Sequence, residues 1–417
     1  MKLEVICIGD ELLIGHTVNT NLAYIGDQIV EIGHRIARET CIPDTLAGIS
    51  AAVCEAASRA DVVITVGGLG PTSDDMTRDA VASALRLELE YRVEAHEAIR
   101  SWLGDRSVRV PDEAMRRQAR VPRGGELLAN TNGTAPGLWI DSGASIVICL
   151  PGPPSELRPM LNNEVIPRLK QRFPPSVLIR TIATAGIPES VLSRQLEAEL
   201  GDRHPLVQPA YCAGPNRVDV RLTAAVEHAL QLDKAEAVAR QVLADGALAG
   251  GARNLPEALA AMLRDRSLTL AVAESCTGGA ISKAVTDVPG ASEYFLGGLV
   301  TYTNAWKQAW LHVPEDVLAT HGAVSPETAA AMLDGLRRVT GCDAGVCVTG
   351  IAGPGGGSPD KPVGLVYVGT CVKGKNRVTK QIFPGNRDAV RQRTVIVALD
   401  QLRRHINEQG DPAAPAG

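Results

Sequence analysis

The chain has 417 residues, enough for two or three domains. Apolar residues make up 45%, which allows sizeable cores and excludes a largely disordered chain. Lysine and arginine total 42 against 47 acidic residues, a net charge of −5, which argues against direct nucleic-acid binding through phosphate neutralisation. With 3 Phe, 4 Trp and 6 Tyr, a base-stacking platform is also a poor fit.

Met1-Lys2-Leu3-Glu4-Val5 has no basic n-region and no long apolar h-region, so it reads as the start of a strand rather than a secretory leader. No apolar run approaches the ~20 residues of a membrane helix. None of the 9 cysteines forms a C-x-x-C pair. Cys7, Cys149, Cys347 and Cys371 lie inside apolar runs and read as small buried hydrophobes in a reducing cytoplasm, without structural zinc.

Leu3–Gly9, Asp61–Val66 and Ala144–Leu150 are β-branched runs that suit strands buried on both faces of a parallel sheet. Between them the spacing predicts helices over Leu22–Ile32, Leu46–Ser58, Arg78–Leu87 and Ser155–Arg172. Asn19-Thr20-Asn21 offers N-caps and Gly33 a C′ residue. Residues 1–172 therefore predict an α/β three-layer domain. Phe173-Pro174-Pro175 marks a boundary. Residues 173–245 form a small α+β unit, with strands Val177–Ala185 and Arg217–Ala224 and helices Glu189–Leu200 and Leu230–Leu243. Residues 246–253 read as a linker, and 254–410 as a second α/β domain. Its strands are Leu268–Ala273, Leu296–Tyr302, Ala344–Thr349, Val363–Cys371 and Arg377–Phe383, followed by a helix over Arg387–Ile406. The tail 411–417 reads as disordered.

The strand Asp61–Val66 runs into Gly67-Gly68-Leu69-Gly70-Pro71-Thr72-Ser73-Asp74-Asp75. Three glycines let backbone approach a ligand, and the following helix offers free N–H groups to an anion. Adjacent carboxylates beside an anion site make sense if a divalent metal bridges them to phosphate. A tight turn with acidic cap residues fits this segment equally well. Gly9-Asp10-Glu11, Asn130-Thr131-Asn132-Gly133-Thr134-Ala135-Pro136-Gly137 and Pro151-Gly152-Pro153-Pro154-Ser155-Glu156 add further strand-end loops. At the carboxyl edge of an open sheet such loops converge on one crevice.

The GDELL, GGLGPTSDD, NTNGTAPG and PGPPSE segments resemble the molybdopterin-binding-like domain of the CinA (competence/damage-inducible) family, and the resemblance extends over nearly the whole chain. It implies a metal-dependent pyrophosphatase acting on ADP-ribose in some members, using a divalent metal accompanied by K⁺. Carried over, Glu11, Asp74, Asp75 and Glu156 are metal candidates, and Gly68, Gly70, Thr72, Asn132 and Gly133 are nucleotide or phosphate candidates. Asn19-Thr20-Asn21 stands where the family pattern has Asp-Thr-Asn. The middle unit is similar to a KH-type fold. Its glycines, Gly186, Gly201 and Gly214, form no G-x-x-G nucleic-acid clamp, so a structural or dimer-forming role is expected. Arg100, Arg106, Arg109, Arg116, Arg117, Arg120 and Arg123 read as a solvated helical face rather than a partner contact.

In the last domain the strand Leu268–Ala273 meets Glu274-Ser275-Cys276-Thr277-Gly278-Gly279. A serine at a strand-to-helix turn sits in the open near backbone N–H groups suited to an oxyanion. Alone, the segment fits an ordinary helix cap better. Tyr302 and Lys307, the Gly350–Gly357 loop and Arg387 fall at neighbouring strand ends. His312, His321 and His405 do not, so a Ser-His-Asp triad is not expected. Lys307 becomes the alternative base if burial lowers its pKa. Gly369-Thr370-Cys371-Val372-Lys373-Gly374-Lys375-Asn376 lacks the terminal hydroxyl of a Walker A loop and predicts a hairpin.

A-E-S-x-T-G-G, the Tyr302/Lys307 pair, T-G-I-A-G-P-G and Gly-Asn-Arg together resemble the CinA C-terminal domain. That resemblance implies a cofactor-free deamidase of nicotinamide mononucleotide (NMN) in pyridine-nucleotide recycling. Ser275 would be the nucleophile, assisted by Tyr302 and Lys307. Thr277, Gly278, Gly279, Gly350, Ala352, Gly353 and Arg387 would bind substrate. Ser275 is preferred to the adjacent Cys276 because the family motif fixes the serine. A homodimer is expected. The alternatives are a non-catalytic pterin- or nucleotide-binding module, or an interaction protein of competence or recombination.

Overall fold

Short Val/Ile-rich strands buried on both faces build the centre of the first sheet. The computed structural model describes residues 1–104, 110–214, 217–249 and 251–410. The chain divides into two compact units, Met1–Ile179 with Ala225–Glu227, and Arg180–Ala224 with the chain from His228 onward.

In the first unit the strands are β1 (Leu3–Ile8), β2 (Ile36–Ile42), β3 (Val62–Val66), β4 (Leu89–Tyr91), β5 (Arg120–Pro122), β6 (Glu126–Leu128), β7 (Gly137–Asp141) and β8 (Ile146–Leu150). Six of them form one sheet in the order β2-β1-β3-β8-β7-β6. β1 is parallel to β2 and β3, and β3 is parallel to β8, so these strands end on one edge. Leu3, Val5 and Cys7 face a core with Ile25, Ile29 and Leu157. Ile6 and Ile8 face the opposite core with Ile49 and Val53. Each such fully buried side chain contributes about 1.5–3 kcal/mol, so helices are held on both faces and the three-layer expectation is met.

Asn19 caps the helix Thr20–Glu31 by accepting from Leu22 N–H at 3.1 Å, and Gly33 takes φ +77°. The helix predicted over Ser155–Arg172 is instead Pro154–Met160, a π-turn over Leu161–Val165, and Ile166–Arg172. Pro159 and Pro167 flank that turn; neither has an N–H for the α-helical ladder, and the backbone widens between them. The described members of the arginine run are tied locally. Arg116 pairs with Asp112, Arg123 with Glu88 and Glu90, and Arg120 with Asp79, while Arg117 donates to the Pro71 carbonyl. Arg106 and Arg109 lie outside the described residues, as do Gly250 of the linker and the tail 411–417.

β9 (Val177–Ile182) carries the chain into the second unit. It forms a three-stranded sheet, β10-β11-β9, with β10 (Gln208–Gly214) and β11 (Arg217–Ala225). The helices Glu189–Leu200 and Ala229–Leu243 complete this α+β layer. A five-stranded sheet follows in the order β13-β12-β14-β15-β16. Its members are β12 (Leu270–Glu274), β13 (Phe295–Val300), β14 (Ala344–Gly350), β15 (Leu365–Val372) and β16 (Lys375–Ile382). β12 lies parallel to β13 and β14, whereas β15 and β16 are antiparallel. Val372 pairs with Lys375, so the Walker-like segment is the predicted hairpin, with Lys373 and Gly374 at φ 47° and 81°. Leu270, Val272, Val346 and Val348 share one core with the helix Leu255–Asp265 and the last helix, Arg387–Gly410. Ala271, Ala273 and Cys347 face the other core with the helices Asn304–Leu311 and Pro326–Thr340.

Candidate active site

β12 ends at a buried carboxylate, and that carboxylate builds the turn after it. Glu274 accepts from Thr277 Oγ1 at 2.7 Å, Gly279 N–H at 2.9 Å and Ile281 N–H at 3.1 Å. Its other oxygen accepts from Ser282 N–H at 2.8 Å and Ser282 Oγ at 2.7 Å. These donors lie at the start of the helix Ala280–Thr286, where free N–H groups favour negative charge. Gly278 and Gly279 take φ +60° and +97°, a backbone that side chains resist.

The turn brings Ser275 to Lys307. Lys307 Nζ lies 3.1 Å from Ser275 Oγ, 2.9 Å from the Thr301 carbonyl and 3.5 Å from the Tyr302 carbonyl. The side chain is 1% exposed, and burial lowers its pKa to about 8. Neutral Lys307 has two N–H bonds for the two carbonyls and a lone pair for the serine hydroxyl. Ser275 is less open than the sequence suggests, at 7% exposure, because its hydroxyl turns towards this amine. Cys276 points into the core, where burial pushes its thiol up to about 11. A protonated, inward thiol is a weak nucleophile at neutral pH.

The other expected residues divide into two groups. Arg387 donates to the Gly353 carbonyl at 2.8 Å and to Tyr302 Oη at 2.9 Å. It thus ties the Gly350–Gly357 loop, including buried Ala352, to the end of β13. Tyr302 Oη makes this bond rather than one to Ser275 or Lys307. Thr277, Gly278 and Gly279 use their polar groups inside the turn, since Gly278 N–H donates to the Ser275 carbonyl at 3.1 Å. The Cys276 and Thr277 N–H groups follow Ser275 directly on this turn. Two contributors escaped the sequence reading. Glu274 was visible as a carboxylate four residues before the Gly278-Gly279 helix start. Arg391, which donates to the Thr277 carbonyl at 2.8 Å, gave no sequence signal beyond lying one turn after Arg387.

In the first unit, Glu11, Asp74, Asp75 and Glu156 line one cavity of about 380 Å³ with Gly68, Gly70 and a further carboxylate, Asp44. Among the described residues no lysine or arginine lines it. Burial and the nearby Glu11, Asp10 and Asp74 hold the Asp44 carboxyl above its usual range. Asp75 accepts from Gly70 N–H at 2.7 Å, Thr72 N–H at 2.8 Å and Thr72 Oγ1 at 2.5 Å, so it shapes its own loop. Glu156 accepts from Asn130 at 2.7 Å, and burial raises its pKa. Asn132 ties its loop to the Ser155 carbonyl at 2.8 Å, and Gly133 sits where a side chain would strike Glu156. Among the described residues no three carboxylate, imidazole or thiol groups converge to hold one ion. The expected donors Glu11, Asp74, Asp75 and Glu156 thus share one cavity. Thr72, Asn132 and Gly133 support its loops rather than line it.

Residues 4–171 match the family model described as "Probable molybdopterin binding domain", and residues 252–406 match that of the "CinA C-terminal domain". A CinA-like protein of Citrifermentans bemidjiense is 41% identical over 97% of this chain and 98% of its own length. The chain belongs to the CinA family. A second CinA-like protein, from Gemmatimonas aurantiaca, is 40% identical over 99% of this chain and 98% of its own. Among solved structures, the competence/damage inducible protein CihA from Agrobacterium tumefaciens is 39% identical, covers 37% of this CinA-family chain and 93% of its own, and has a TM-score of 0.36. No helix among the described residues is long and apolar enough to cross a membrane.

Proposed function

We propose that the C-terminal domain is an amidohydrolase that converts NMN to nicotinic acid mononucleotide and ammonia. The observation that carries this reading is the buried Ser275–Lys307 pair, 3.1 Å apart at the edge of three parallel strands. Neutral Lys307 takes the hydroxyl proton as Ser275 Oγ bonds to the carboxamide carbon. The carbonyl oxygen gains the electron pair near the Cys276 and Thr277 N–H groups. Lys307 then passes the proton to the amide nitrogen, the C–N bond breaks, ammonia leaves and an ester remains on Ser275. Water gives a proton to Lys307, its oxygen bonds to the ester carbon, and Ser275 leaves with that proton. Arg387 and Arg391 supply positive charge for the substrate phosphate. The test is ammonia release from NMN by EDTA-treated protein. Release that survives Cys276→Ala and vanishes in folded Ser275→Ala supports the reading. No release from folded wild type defeats it.

A second reading concerns the first unit. Its cavity carries five carboxylates, so a nucleotide phosphate would enter only with a cation that offsets them. This favours the ADP-ribose pyrophosphatase reading over anion binding without metal. AMP release from ADP-ribose that depends on an added divalent cation would support it. ADP-ribose binding without turnover would leave a binding module.

A further inference from the structure

A cavity of about 970 Å³ lies within the second unit, away from Ser275. Its walls come from the loop after β9, from β10 and β11, and from one face of the last helix. Ile187, Phe383, Ile396 and Val397 make it largely apolar. Three guanidiniums, Arg217, Arg393 and Arg404, line it beside one carboxylate, Asp400.

The carboxylate is already occupied. Asp400 Oδ1 accepts from Arg403 Nε at 3.0 Å and Nη2 at 2.7 Å, and Oδ2 accepts from Arg404 Nε at 2.8 Å. Arg217 is partnered by Asp219 at 3.1 Å. Arg404 uses Nε alone on Asp400, which leaves its Nη donors for another acceptor. Arg403 and Arg404 share the single carboxylate of Asp400, so this cluster keeps one net positive charge. Gly186 at φ +71° lets backbone come down on this corner, where a Cβ would lie 2.8 Å from Asp400 Oδ2. A roomy apolar chamber with a few placed polar groups is the usual form of a small-molecule site.

We propose that this cavity binds a small organic anion, with a carboxylate or phosphate held by Arg404 and an aromatic or aliphatic body against Ile396, Val397 and Phe383. The probes are 1-naphthoate, 1-naphthyl phosphate and neutral 1-naphthamide, titrated calorimetrically into the full-length chain. Both anions should bind at least about tenfold more tightly than the amide, and whichever is tighter identifies the headgroup. Arg404→Gln should weaken the anions by about tenfold and leave the amide unchanged. Ile396→Trp should crowd the apolar wall and weaken binding of all three about tenfold, with amidase activity and Tm retained. Equal affinity for amide and anions, anion binding indifferent to both variants, or no anion binding at about 1 mM would overturn the proposal. If Ile396→Trp does not fold, Arg404→Gln and the anion-to-amide ratio still decide.

Discussion

Both units place a carboxylate in a glycine-rich loop at the end of a parallel strand, and in both the carboxylate holds backbone. Asp75 accepts from Gly70 and Thr72, and Glu274 accepts from Thr277, Gly279, Ile281 and Ser282. What remains beside each loop differs. In the first unit it is a cavity of further carboxylates, and in the second it is an uncharged hydroxyl near a buried amine. An acidic residue in such a motif is therefore as readily scaffold as ligand, and its hydrogen bonds tell which.

The largest effect that would sharpen this contrast is at Ser275. Ser275→Ala should lower NMN turnover at least about a thousandfold, while Cys276→Ala stays within a few-fold. Next comes Glu274→Gln, which sets an amide donor against donors. Chemical denaturation should show a loss of about 2–4 kcal/mol, and turnover should fall. Asp75→Asn, in a more exposed loop, should cost only about 1 kcal/mol. Equal losses at the two positions would break the comparison.

In the proposed reaction Lys307 carries the pH dependence. As a base it works unprotonated, so kcat/KM should rise tenfold per pH unit and level off above about 8. Its folded pKa is depressed, so between about 8 and the ordinary lysine value of 10.5 the unfolded chain binds the extra proton. The stability penalty is thus full below about pH 8 and fades as pH rises towards 10.5. Lys307→Met should be inactive yet about 2–3 kcal/mol more stable at pH 7 by thermal denaturation. Arg387→Lys loses the fork joining Gly353 and Tyr302 and should raise KM about tenfold with little change in the pH profile.

Much of this was legible in the sequence. Strands buried on both faces announce themselves as apolar runs, and β1, β3, β8, β12 and β14 were found that way. β2 was not, because Arg38, Glu39 and Thr40 break the run on an edge strand. Missing β2 also hid Asp44, which follows its end. Glu274 was read as part of a motif, but its five hydrogen bonds depend on a fold that no spacing displays. The π-turn at Leu161–Val165 was foreshadowed only by Pro159 and Pro167.

The start of the last helix has a consequence for how substrate is drawn in. Above about pH 8 the Ser275–Lys307 pair carries no net charge, so it exerts no long-range pull on an anionic substrate. In the proposed reaction that pull falls to Arg387 and Arg391. Arg387 lies beside the exposed Tyr302 ring, where mobile ions reach it, and added salt shortens its range below a Debye length of about 8 Å at physiological ionic strength. Raising ionic strength should therefore increase KM for a phosphorylated substrate and leave kcat almost untouched. Capture and bond-breaking in this domain would then respond to different properties of the solvent.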